Sequence, residues 1–100
     1  MLWAIYCVGK PNTEAARAAI LQPHRDYLQS RKGIIVMVGQ LQDDDGNEPV
    51  GSLRIVNVKS RAEAQAFSDG DPLVQAGVFA SITITRMRKG QLNPAVADRE

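Results

Sequence analysis

Ile34-Ile35-Val36-Met37-Val38, a polar interval, then Ser52-Leu53-Arg54-Ile55-Val56-Asn57-Val58 is the stretch that decides the fold. The first run is β-branched and apolar with almost no alternation, and Gly39 to Gln42 extends it. The interval Asp43 to Gly51, DDDGNEPVG, is dense in turn residues and is the clearest surface excursion of the chain. Two strands about such a loop read as an antiparallel hairpin.

Upstream of the hairpin the period changes from strand to helix. Leu2 to Val8 is an apolar strand closed by Gly9, Pro11 and Asn12. Asn12 or Thr13 can cap the next helix, with Glu14 favourably placed in its first turn and Ala15, Ala16, Ala18 and Ala19 as strong helix formers. Pro23 removes a backbone donor, so it kinks this helix or restarts it. Ile20, His24, Tyr27, Leu28 and Arg31 recur at steps of three and four and share a face. Gly33 is a natural residue just past the end.

Downstream, Ser60-Arg61-Ala62-Glu63 has the capping-box pattern, followed by the apolar stripe Ala62, Ala66 and Phe67. Gly70 stops that helix. Asp71-Pro72 restarts a short one, Asp as cap and Pro at its first position, and Gly77 ends it. Val78 to Met87 alternates as a fourth strand, Ile82 and Ile84 on one side and Thr83 and Thr85 on the other.

The order β, α, β, β, α, β is the split-βαβ, ferredoxin-like arrangement: an α+β fold with two helices on one face of a four-stranded antiparallel sheet. One domain over residues 1–89 is expected. Residues 90–100, GQLNPAVADRE, lack periodicity and read as a flexible tail or as an arm against a partner.

Two helices cover one face of such a sheet, yet Leu2 to Val8 and Ile34 to Val38 are apolar on both faces. A strand apolar on both sides needs cover on both. The economical cover is the same sheet from a second copy, so a homodimer through the sheet faces is expected.

The chain of 100 residues carries 12 basic and 11 acidic side chains, with aromatics at 5%. Neither a strong field nor a base-stacking surface follows, so nucleic acid and anionic membrane are poor partners. Cys7 is the single cysteine, which excludes an intrachain disulfide and fits a reducing compartment. Set between Tyr6 and Val8, it reads as a small hydrophobe rather than a nucleophile. MLWAIYCVGK has neither a basic n-region nor a cleavage site, and no apolar run is long enough to span a bilayer. Cytoplasm is the expected location.

His24 is the single histidine and the one side chain whose ordinary pKa suits proton exchange near neutrality. Alone it is weak evidence, since a histidine on an apolar face is more often a satisfied core residue. A carboxylate partner would change the weighing by fixing the tautomer and stabilising the imidazolium. Asp26, Asp69 and Asp71 are the candidates outside the acidic loop. Asp26 leaves its helix on a different face from His24. Asp71 lies in an elbow that the topology can bring toward the first helix, although Asp-Pro is also an ordinary helix start. Asp43 to Asn47 invites a calcium reading, but the twelfth position of that loop is Arg54, where a bidentate Glu is required. No metal or cofactor motif is found, and neither group is expected. Arg86, Arg88 and Lys89 could orient an anionic substrate or simply charge a strand end.

These residues together resemble the YciI-like family of small dimeric α+β-barrel proteins, over Met1 to Lys89. The opening MLWAIYCVGK is similar to the family's first strand, and Pro23-His24 with Leu28 to its histidine-bearing helix. Asp71-Pro72-Leu73-Val74 with Ala76-Gly77-Val78-Phe79 is the most specific stretch of the resemblance. Gln40 stands where the family has a proline after Gly39, and the helix bearing His24 is about two residues shorter before Gly33. The resemblance implies a dimeric α+β barrel with a site centred on His24 and Asp71 in each subunit. It also implies small-ring chemistry, such as dehydrochlorination of a chlorinated hydroxyquinol.

Two functions fit. One is a cofactor-independent lyase or isomerase moving a proton on a small, cyclic substrate, with His24 as acid or base and Asp71 orienting it. The other is a non-catalytic dimer that binds a small ligand or serves as an accessory protein.

Overall fold

The computed structural model describes residues 1–99. Strand β1 (Leu2–Gly9) is followed by α1 (Glu14–Ala19), α2 (Leu21–Ser30), β2 (Ile35–Gln42) and β3 (Pro49–Asn57). Then come α3 (Arg61–Asp69), α4 (Pro72–Gln75), β4 (Phe79–Met87) and a 3₁₀ turn at Pro94–Val96. The sheet order is β2-β3-β1-β4, with every neighbouring pair antiparallel. This is the ferredoxin-like α+β fold, each of its two helices broken into two segments.

The breaks follow from local chemistry. The first lies at Ile20, three residues before Pro23. Pro23 thus falls in the first turn of α2, where its missing N–H has no intrahelical partner to lose. Of the two cap options for α1, Thr13 holds the position without a side-chain cap, its hydroxyl donating instead to the Lys10 carbonyl at 3.0 Å. Ser60 does cap α3, its Oγ accepting from Glu63 N at 3.2 Å. Glu63 Oε2 in turn accepts from Lys59 N at 2.9 Å, one residue earlier than in the usual capping box.

β3 starts at Pro49, earlier than the turn composition indicates. The loop is tied off within residues 43–48, Asp43 N donating to the Glu48 carbonyl at 3.0 Å and Asn47 N to Asp43 Oδ1 at 2.9 Å.

Register puts Cys7 opposite Ser52 and Ile82, Ile5 opposite Arg54 and Ile84, and Trp3 opposite Val56 and Arg86. The buried members of this helix-facing set join Ala64 and Phe67 of α3 in the core. Gly51 is required here, since a Cβ at that position would run into the Cys7 carbonyl oxygen. Tyr27 of α2 reaches across to α3, donating to the Phe67 carbonyl at 2.8 Å with ring centroids 5.7 Å apart.

The other sheet face presents Leu2, Leu53 and Ile55 half-buried, with Tyr6 48% and Met37 55% exposed. Leu92, Pro94 and Val96 of the C-terminal segment border a cleft on this face together with Leu2, Met37 and Ile55. Among the described residues no helix is long and apolar enough to cross a membrane.

Candidate active site

Asp71 caps α4 in an extended conformation, its Oδ1 accepting from Leu73 N at 2.9 Å. That role fixes the carboxylate at the elbow between α3 and α4. His24 sits in the first turn of α2, its backbone N–H bonded to the Ile20 carbonyl at 3.0 Å. α2 and α4 are neighbours, so His24 Nδ1 comes within 2.7 Å of Asp71 Oδ1. The other two carboxylates considered are occupied elsewhere: Asp26 accepts from Gln22 at 2.9 Å and Asp69 from Gln65 at 2.8 Å.

A third side chain completes the group. Arg54, near the middle of β3, is fully buried. Its Nη2 lies 2.9 Å from Asp71 Oδ2, its Nε donates to Ser52 Oγ at 3.0 Å, and its guanidinium lies over the Phe79 ring at 5.4 Å. The Asp71 contact is an ion pair of close charges rather than an aligned hydrogen bond.

Burial alone would push the Asp71 carboxyl pKa up. The His24 hydrogen bond, the Arg54 charge and the Leu73 N–H together outweigh it and hold Asp71 below the ordinary carboxylate range. An ionised carboxylate only accepts, so Nδ1 of His24 carries the proton in this pair. A neutral imidazole then has its lone pair on Nε2, which bonds to none of the described residues.

The His24 ring borders a cavity of about 250 Å³ between the helices and the sheet. Leu21, Val38, Pro49, Leu73, Val78 and Phe79 form its apolar walls, while Arg17, Gln40 and Ser52 bring polar groups. Apolar walls with a few polar groups are the usual make-up of a small-molecule site. Arg86 and Arg88 take no part in this lining, and Lys89 borders the cleft on the opposite sheet face. Cys7 is buried, and burial pushes its thiol pKa up; Arg54 opposes that and Asp71 adds to it. It offers no ready thiolate.

Arg54 and Arg17 are the site residues that sequence reasoning missed. Arg54 was weighed only as the wrong ligand for a calcium loop. Its signal was a cation flanked by Leu53 and Ile55 in a strand, a position expensive to bury without a partner.

The model of the YCII-related domain matches residues 1–88. The chain belongs to the YCII-related family. Protein YciI of Escherichia coli and protein YciI of Shigella flexneri are each 30% identical to it over 96 residues, covering 89% of this chain and 98% of theirs. Among solved structures it is similar to 5-chloro-2-hydroxyhydroquinone dehydrochlorinase (TftG) from Burkholderia phenoliruptrix, in complex with 2,5-dihydroxybenzoquinone. The TM-score is 0.81 at 29% identity, covering 90% of this chain and 96% of that one. This YCII-related chain thus has the fold of a lyase-type enzyme acting on a small molecule.

Proposed function

We propose that the protein is a small-molecule lyase or isomerase in which His24 moves a proton on a cyclic substrate and Asp71 orients the imidazole. The observation that carries this reading is the 2.7 Å contact between His24 Nδ1 and Asp71 Oδ1 at the wall of the cavity. It leaves Nε2 as the base, and the Asp71 charge stabilises the imidazolium once the proton arrives. In an elimination, Nε2 takes a proton from a ring hydroxyl or C–H, the freed pair forms a new double bond, and the leaving group departs as an anion with its own pair. In an isomerisation the same proton returns to another ring atom. Both are redox-neutral proton transfers within reach of side chains alone, so the reading invokes no cofactor.

Size and similarity support a ring. An apolar cavity of about 150 Å³ holds benzene, so about 250 Å³ has room for a substituted six-membered ring. The similarity to a dehydrochlorinase makes chlorinated hydroxyhydroquinones the first compounds to try. The buried single thiol of Cys7 fits a reducing, cytoplasmic setting.

A non-catalytic ligand-binding role has one observation in its favour: Asp71 already caps α4 and pairs with Arg54 without His24. Chloride release from 5-chloro-2-hydroxyhydroquinone, with related hydroxylated rings assayed by deuterium exchange, separates the two. The proposed reading expects turnover in the wild type and a drop of about 100-fold or more in His24→Asn. Equal turnover in the folded variant defeats it.

A further inference from the structure

We infer that Arg17 is the specificity-determining residue of this site and that the ligand is an anion, a ring bearing an ionised oxygen such as an enolate or phenolate. The inference rests on the reading of the cavity as a substrate site and names what that site selects. It comes from a charge balance. Asp71 is the one carboxylate beside His24, and Arg54 pairs with it at 2.9 Å, so those two charges cancel beneath the cavity. Arg17, in the last turn of α1, borders the cavity and takes part in neither ion pair. No Asp or Glu lines the cavity to balance it.

With His24 neutral, the site therefore carries about one net positive charge, placed on the wall by Arg17. Walls of low polarity focus that charge onto whatever enters. A guanidinium presents a planar fork of donors suited to paired oxygens on a flat ring. When His24 takes up a proton the site gains a second positive charge, so a substrate that becomes more anionic is bound more tightly as the proton leaves it. Arg17 is thus matched to the product of proton abstraction as well as to the anionic ligand.

Binding of two probes tests this in the wild type, Arg17→Gln and His24→Asn. One probe is 2,5-dihydroxybenzoquinone, whose hydroxyls are vinylogous carboxylic acids and are already ionised at neutral pH. The other is its uncharged dimethyl ether. The wild type is expected to prefer the anion, and Arg17→Gln to lose roughly 10- to 100-fold of that preference while binding the ether as before. No preference in the wild type, no binding of either probe, or equal weakening of both in Arg17→Gln overturns the inference. Turnover retained by His24→Asn would instead defeat the proton-transfer reading and leave the charge preference standing, so the two failures are distinguishable.

Discussion

Arg54 Nη2 lies 2.9 Å from Asp71 Oδ2, and neither side chain is exposed to solvent. The pair joins the central sheet to the elbow that holds His24. Its weak point is geometry: the contact is not an aligned hydrogen bond, and Arg54 Nη1 has no partner among the described residues. A buried pair of this kind adds little net stability over an apolar pair, but losing one partner strands the other charge. Arg54→Met is therefore expected to lower unfolding free energy by about 3–5 kcal/mol, measured by urea denaturation. Adding Asp71→Asn should recover much of that loss, because Asn neutralises the stranded charge and still caps α4.

Asp71 also sets the acid limb of stability. Its pKa in the folded protein is lowered, burial being outweighed by His24, Arg54 and Leu73 N–H. The unfolded chain then binds the proton more readily than the folded one, so stability rises with pH across that interval. The contribution is complete above the ordinary aspartate value of about 3.9 and disappears as pH falls through the lower folded value. Urea midpoints followed from pH 7 to pH 2 should show this acid loss in the wild type. Asp71→Asn should show a shallower one, and equal slopes would mean that Asp71 titrates alike in both states.

The fold was legible because its signals are local. Ser60-x-x-Glu63, Asp71-Pro72 and the polar loop after Gln42 mark element ends through neighbouring atoms, and each marks an end in the structure. The break at Ile20 was displaced from Pro23 because proline marks a permitted first turn rather than the break itself. At the site, residue type singled out His24 and left Asp71 among several carboxylates until the family resemblance pointed to it, and their 2.7 Å contact depends on how α2 meets α4. Arg54 stayed hidden because Leu53 and Ile55 alternate with Ser52 and Arg54, a pattern that by itself puts the polar pair on the open face. Only the pairing with Ile5 assigns Arg54 to the buried face. Nothing local distinguishes Arg17 from any other helix-end cation; only its place on the cavity wall does.

Gly70, at the end of α3, lies close against Tyr27 of α2. A Cβ built there would lie 2.5 Å from the Tyr27 hydroxyl, which donates to the Phe67 carbonyl. Gly70→Ala should displace that hydroxyl, costing about 1–3 kcal/mol through overpacking, and it should disturb the neighbouring Asp71. Tyr27→Phe removes the obstructing oxygen and should cost only about 1 kcal/mol for the lost hydrogen bond. The double variant is expected to be more stable than the sum of the two single losses allows, as measured by thermal unfolding.

The face opposite the helices is where a second copy is expected. Leu53 and Ile55 lie half-buried there beside the more exposed Tyr6 and Met37. A stable interface hides about 800 Å² on each partner. Sedimentation equilibrium at micromolar concentration is expected to return twice the chain mass of 10.9 kDa. Tyr6→Lys together with Met37→Lys should shift the equilibrium to the monomer, because two desolvated ammonium groups at the interface cost several kcal/mol. The segment from Gly90 borders the cleft on this same face. Truncation after Lys89 should weaken association if the segment serves as an arm, and should leave it unchanged or strengthened if it merely shields its own sheet. A compact monomer for the wild type would remove the second sheet as the cover for this face.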